Sequence, residues 1–272
     1  MRRRVTDQER EKFVARPRSR SGLLTERAGK KASWHVPPPG RELAGYRVNV
    51  WWIDLRGRPP RTSVLMTTLS AEEIARANKF ASAANSRRYL IAHFALRDIL
   101  GRHTGLAASE IILAHEGSGR PYLSVPSAGS LHFTLSRSPR FALVAVAAGL
   151  KIGVDLEAEK PWVNVELLLT HCFRCPDDRV RVAALPANRR RRALLSAWCC
   201  SEALTKATGI GLSGRPDLRL APPAERPRRW LPLDDRWSQH QLPPIAGHVA
   251  VLVVDSPSAF PVGHWKWSGP SA

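Results

Sequence analysis

Asp155 and Glu157 stand two apart in "GVDLE", and Glu202 and Lys206 stand four apart in "SAWCCSEALTKATGIGL". In a strand, residues two apart project from one face, so the two carboxylates point together while Val154 and Leu156 go to the other side. Like charges so placed repel unless a cation lies between them. On a helix, residues four apart share a face, so Trp198, Glu202 and Lys206 form one stripe. Where that stripe meets the Asp155/Glu157 face, three carboxylates can hold one hard divalent ion, with Lys206 one turn on reaching a phosphate that the ion also touches. Gly209 and Gly211 would let the chain turn tightly beyond the helix. The plain alternative is a surface Glu–Lys pair at i,i+4, worth about 0.2–0.5 kcal/mol. That alternative leaves "GVDLE" unexplained.

The elements that must position these residues are readable in outline. "YRVNVWWIDL", residues 46–55, reads as a first strand rich in Val and Trp, its tryptophans in the core. In the helical stretch from residue 69 to 105, Ser70 caps a helix with Glu73 three residues on, a capping box. Ile91, Phe94, Ala95 and Ile99 line the apolar face of a second helix. "EIILAHEGSGRPYL" reads as a strand entering a tight turn, "LHFTLSRS" and "FALVAVAA" as adjacent buried strands, and "LKIGVDLEAEK" as a further strand. "VNVELLLTHCF" is a short helix, residues 187–208 a long one, and "GHVAVLVVDS" a final strand; residues 213–235 read as loop with one strand at most. The expected organisation is a mobile basic tail (1–44), an N-terminal half (45–150), a C-terminal half (151–262) and a C-terminal tail (263–272). The fold class is α+β.

Composition narrows the partners. The net charge is +19, from 42 basic and 23 acidic residues, and 34 of the basic residues are arginine. Such a surface attracts polyanions. No zinc-finger spacing, RNA-recognition signature or basic stripe interleaved with aromatics accompanies the charge, which argues against nucleic acid. An acidic protein or a phosphate-rich small molecule fits as well. No apolar run of 18 residues and no secretory leader is present, so the reading is a cytoplasmic protein with no membrane contact. The four cysteines, two of them adjacent, suggest no disulfide framework. His171, Cys172 and Cys175 could offer three zinc ligands, but a second cluster at metal spacing is missing.

"IGVDLEAEK" followed by "WCCSEALTKATGIGL" resembles the paired signature of the 4'-phosphopantetheinyl transferases, G-[IV]-D-[ILV]-E and W-x-x-K-E-[AS]-x-x-K-x-x-G-x-G-L. Upstream, the helical segment from residue 69, "GSGRPYL" and "FTLSRSPRFALVAVA" look like the family's helical segment, its Gly-Lys-Pro turn and its Asn-[IL]-Ser-His-Ser strand. The resemblance covers roughly residues 46–255 and is similar to the larger Sfp type, which implies two similar α/β halves packed as a pseudodimer in a monomeric chain.

The resemblance implies transfer of the phosphopantetheine arm of coenzyme A to a serine of an acidic apo carrier protein, magnesium-dependent, with release of 3',5'-ADP. It marks Asp155, Glu157 and Glu202 as magnesium ligands and Lys206 as the lysine that contacts the coenzyme A phosphates, with Glu202 also a candidate acceptor of the serine proton. Arg120 and Pro121 match the turn at the adenine end, Ser136 and Arg137 match the phosphate-contacting Ser-His pair, and Arg76 aligns with a basic residue at the 3'-phosphate. Arg87 and Arg88 are further candidates, against a solvated helix face. Two departures stand out. The family's lysine before the glutamate is Ser201, and its histidine is Arg137, a cation that does not titrate near neutrality. They support the alternative, a noncatalytic binder of coenzyme A or a carrier protein. The run Arg189–Arg192, where the helix macrodipole disfavours cations, points to an acidic partner, with Lys160 and Arg174 extending that surface, or to a solvated helix end.

Overall fold

In order along the chain, the computed structural model contains β1 (Val48–Asp54), α1 (Thr62–Thr68), α2 (Ala71–Asn78), α3 (Ala83–Thr104), β2 (Leu113–His115), β3 (Pro121–Leu123), β4 (Leu131–Arg137), β5 (Phe141–Ala148), β6 (Ile152–Ala158), α4 (Val165–Cys172), α5 (Pro176–Ala183), α6 (Ala187–Thr208), β7 (Trp230–Pro232), β8 (Ser238–Gln241), β9 (His248–Val254) and β10 (Val262–Lys266). It describes residues 33–37, 46–117, 119–124, 129–159, 165–173, 175–210, 230–233, 235–258 and 260–269. All belong to one unit, Ala32–Ala272. Most of the expected N-terminal tail, Lys160, Arg174 and Gly211 lie outside the described residues.

Two four-stranded sheets, ordered β10-β1-β5-β4 and β6-β9-β8-β7, carry the mixed α/β fold, with β2 and β3 forming a separate hairpin. Each sheet follows the same plan. A strand leads to a 22-residue helix (α3 or α6), two antiparallel strands follow, and the later of them pairs beside the first. Both long helices end at a glycine in the left-handed region, Gly105 at φ 77° and Gly209 at φ 74°, where a Cβ would be strained.

Three packed layers of side chains join these elements. Ile91, Ala95 and Ile99 of α3 pack on Trp51, Ile53 and Val144. Cys199, Ala203 and Ala207 of α6 pack on Val249, Val251 and Val253. Between the sheets lie Val48, Val50, Leu143, Ala145, Ile152, Val154, Leu156 and Leu252. The order is therefore helix, sheet, sheet, helix. Covering both faces of β5 and β9 is why "FALVAVAA" and "HVAVLVV" read as unbroken apolar runs. The capping box on α2 is present: Glu73 N donates to Ser70 Oγ at 3.2 Å and Ser70 N donates to Glu73 Oε2 at 2.8 Å.

Residues expected in the two tails pair with the sheets where they are described. Residues 262–266 form β10, parallel to β1, and Trp265 Nε1 donates to Asn49 Oδ1 at 2.7 Å. Trp267 beyond it donates to Asp98 Oδ2 at 2.8 Å. Burying the Trp265 indole and half-burying that of Trp267, with both N–H groups satisfied, holds this segment against β1 and α3. At the other end, His35 donates through its backbone N to His264 O at 3.0 Å, and Trp34 packs against the inter-sheet layer. A bare edge strand would leave such groups unpaired. The sequence leaves α1, α5 and β8 unmarked, and β7 falls where one strand at most is expected, within residues 213–235. In β8 the buried residues are Ser238 and His240, polar side chains whose strand signal lies only in their neighbours: Ser238 Oγ donates to Ser256 O at 2.5 Å.

Gly153 sets the distance between β6 and α6, since a Cβ there would fall 1.8 Å from the Ala203 carbonyl oxygen. Gly153→Ala is expected to destabilise the fold by about 3 kcal/mol or more, read as a fall in melting temperature of about 10 °C. A second expectation concerns acid. Burial pushes the His103 and His240 imidazoles down to about 4 and also lowers His93, against the pull of Glu73. Unfolded histidines titrate near 6.5, so from there to about pH 4 the unfolded chain binds more protons, and stability falls on acidification by roughly 1.4 kcal/mol per pH unit for each of His103 and His240. Denaturant titrations between pH 7.5 and 4.5 measure the slope, and His240→Gln should flatten it.

Candidate active site

The alternation of β6 sends Val154 and Leu156 into the inter-sheet layer and leaves Gly153, Asp155 and Glu157 for the face that α6 covers. Asp155 is 5% exposed. Lys206 Nζ, from the last turns of α6, donates to Asp155 Oδ1 at 2.7 Å and to Val154 O at 3.1 Å. Ser136 Oγ, from β4, donates to the same Asp155 Oδ1 at 2.9 Å and accepts from Leu156 N at 3.1 Å. Three elements thus meet on one carboxylate oxygen. The other, Asp155 Oδ2, is buried with no hydrogen-bond partner among the described residues.

These groups open onto a cleft of about 450 Å³ lined by Phe80, Asn85, Arg88, Ser136, Arg137, Asp155, Glu157 and Lys206, among others. Strands of both sheets and both long helices contribute. Arg88 comes from the first turns of α3, where its NH1 donates to Asn85 Oδ1 at 3.1 Å. Helical geometry puts residues 85 and 88 on one face, and a helix N-terminus favours anions. The guanidinium of Arg137 lies 5.0 Å from the centroid of the Tyr89 ring.

The expected site residues divide accordingly. Ser136, Arg137, Asp155, Glu157 and Lys206 line the cleft, and so does Arg88. Glu202 is half-buried one turn before Lys206, outside the cleft lining. Arg76 and Arg87 are exposed and outside it too. Arg120 takes a different position: its NH1 donates to Ala207 O at 3.1 Å, satisfying a carbonyl of the last turn of α6 next to Gly209. Pro121 follows as the half-buried first residue of β3. Phe80 and Asn85 carry no motif of their own; only the i,i+3 spacing of Asn85 and Arg88 marks their face.

Two oxygen-rich carboxylates sharing a cleft, one with a buried unpartnered oxygen, suit a hard divalent cation. No group of three or more His, Cys, Asp or Glu residues gathers at metal-holding distances among the described residues. His171 is exposed while Cys172 is in the core, so that pair diverges. Cys199 and Cys200 are poor nucleophiles: burial, reinforced by Asp155 and Glu157, pushes the Cys199 thiol well above its usual range, and burial pushes Cys200 up to about 12. Ser201 is 2% exposed, so a lysine there would have to carry its charge out of a buried position.

At least two of the four arginines at the start of α6 have partners within the fold. Arg190 donates twice to Leu185 O, at 3.0 and 3.2 Å, and Arg192 pairs with Glu159. No helix among the described residues is long and apolar enough to cross a membrane.

The model of the 4'-phosphopantetheinyl transferase superfamily matches residues 151–240, which include β6 and α6. Over 223 residues the chain is 32% identical to the 4'-phosphopantetheinyl transferase HetI of Nostoc sp., covering 82% of this chain and 93% of that protein. It is 31% identical over 146 residues to the 4'-phosphopantetheinyl transferase psf-1 of Bacillus pumilus, 53% of this chain and 60% of that one. With the 4'-phosphopantetheinyl transferase Sfp of Bacillus subtilis it shares 24% identity over 148 residues, 54% of this chain and 63% of that one. A similarity that runs over nearly the whole length of HetI, together with the family match on β6 and α6, two of the elements that build the site, makes this chain a member of the 4'-phosphopantetheinyl transferase superfamily and an enzyme of that class.

Proposed function

We propose that the protein transfers the phosphopantetheine arm of coenzyme A to a serine of an acidic apo carrier protein, with magnesium, releasing 3',5'-ADP. The observation that carries this reading is the meeting of Lys206, Asp155 and Ser136 in a cleft that Arg88 and Arg137 also line. Three cationic side chains around one cleft match a ligand with several phosphate charges. The shared plan of the two sheets supports reading 45–150 and 151–262 as halves of a pseudodimer, active as a monomer in the cytoplasm.

In this reading Asp155 and Glu157 of the cleft would hold the magnesium ion, with Glu202 of α6 drawn in as a third ligand from outside the lining, and the ion when bound would neutralise charge on the pyrophosphate. Lys206, fixed at the cleft wall by Asp155 Oδ1 and Val154 O, lies against the leaving phosphate and favours the charge that grows there. Arg88 and Arg137 orient the phosphates, Ser136 holds Asp155 in place, and Arg120 and Pro121 border the adenine end. Arg76 adds positive potential from outside the cleft lining. The carrier serine oxygen attacks the phosphorus bearing the pantetheine arm, and the bond from that phosphorus to the bridging oxygen breaks. Glu202, on the helix face of Lys206, accepts the serine proton.

Intact mass of an apo carrier protein after incubation with enzyme, coenzyme A and magnesium tests the reading. The expected result is a gain of about 340 Da, the mass of one covalently attached arm, abolished by EDTA. No gain on several carriers, with coenzyme A binding still measurable, overturns transfer in favour of a noncatalytic binder. Asp155→Asn should lower the transfer rate by at least about 100-fold in a chain that still folds, with a lower melting temperature because Lys206 loses its charged partner. Transfer at the wild-type rate and metal dependence removes Asp155 from the site.

A further inference from the structure

Arg137 stands on β4 with an aromatic ring rather than a carboxylate beside it. The ring belongs to Tyr89, 3% exposed and next in α3 to Arg88 of the cleft wall. Tyr89 is held from behind. The His93 imidazole stacks on it at 4.0 Å and 23°, and Phe80 packs at 5.5 Å. His93 Nδ1 is hydrogen-bonded to Glu73 Oε1 at 3.0 Å, and Glu73 Oε2 accepts from Arg97 Nε and from Ser70 N, both at 2.8 Å. A buried carboxylate inside a capping box thus anchors one end of a stack whose other end is the Arg137 guanidinium.

Arginine at an exposed strand end has many rotamers, and ordering it on binding opposes affinity. A guanidinium held over a ring face has much of that order already. We infer that Tyr89 is a positioning residue: its ring holds the Arg137 guanidinium ready for the phosphate groups of coenzyme A. The inference rests on the reading that the cleft takes coenzyme A. It also gives the exchange of histidine for arginine at position 137 a structural setting, because a guanidinium has both the planar face to lie on a ring and a fork of donors for phosphate.

The test compares wild type, Tyr89→Leu, Tyr89→Phe, Arg137→Met and the double variant Tyr89→Leu/Arg137→Met. Calorimetry gives the Kd for coenzyme A, and the carrier mass assay gives kcat and KM. Tyr89→Leu should raise Kd and KM for coenzyme A by about tenfold and leave kcat and the KM for the carrier within about twofold. Tyr89→Phe, which keeps the ring, should restore both constants to within about twofold of wild type. In the Arg137→Met background Tyr89→Leu should add nothing, since the two act as one unit. Tyr89→Met serves in its place should Tyr89→Leu melt too early to assay. Equal effects of Tyr89→Leu with and without Arg137, or an effect on kcat alone, overturn the inference while leaving transfer intact. A wild-type protein that does not bind coenzyme A overturns the cleft assignment itself, and the inference with it.

Discussion

The backbone of α6 lies against β6 at Gly153, where a Cβ would sit 1.8 Å from the Ala203 carbonyl oxygen, and the site depends on that close approach. Lys206 is one turn beyond Ala203 and Asp155 is two residues beyond Gly153, so the point of closest contact places the ammonium on the carboxylate. A larger residue at 153 would lift the helix, and the 2.7 Å pair of Lys206 with Asp155 would be among the first contacts stretched. The glycine of "GVDLE" is therefore as much a part of the constellation as its acids. Ser136 closes the same point from the other sheet, donating to Asp155 Oδ1 while accepting from Leu156 N. It thereby couples β4 to β6 and so one sheet to the other.

The excess of arginine acquires a meaning once its partners are seen. Arg97 pairs with Glu73 and donates to Ile111 O, Arg102 pairs with Asp98 and donates to Gly269 O, Arg120 satisfies Ala207 O, and Arg190 satisfies Leu185 O. Each uses a planar fork of donors to satisfy carbonyls or carboxylates at element ends, a task a lysine's point charge does less well. A net charge of +19 does not measure the cationic surface offered to a polyanion. In the cleft lining the basic side chains are Arg88, Arg137 and Lys206.

The chemistry was more legible in the sequence than the edges of the fold. "GVDLE" and the stripe through Lys206 depend on periods of two and four that backbone geometry enforces, so the shared face of Asp155 and Glu157 and the bounds of α6 could be read directly. β10 could not, because a five-residue strand pairing parallel with a segment more than 200 residues earlier leaves no local pattern. β8 hid behind polar residues whose burial is made tolerable by contacts such as Ser238 Oγ with Ser256 O. Arg88 was distinguishable from Arg87 only through the helix phase, which depends on where α3 begins. Arg120 carried the right residue type, but nothing local tells that its guanidinium reaches the end of a helix 87 residues away.

The two departures from the family pattern differ in structural kind. Ser201 is 2% exposed on α6, a position that suits a small hydroxyl and opposes a charge unless the long stem reaches water. Arg137 is exposed at the cleft, where a cation is solvated until a ligand arrives. Exchanging one cation for another there keeps the attraction for phosphate and removes a titration near neutrality. Losing a lysine at 201 instead removes a charge outright, and the cations remaining beside Asp155 are those of the cleft wall. In the proposed reaction the electrostatic work for phosphate would fall on Lys206, Arg88 and Arg137, the cations of the cleft lining. Of these Lys206 is fixed by Asp155 and Arg137 by Tyr89, so the positive edge of the cleft is ordered before any anion approaches.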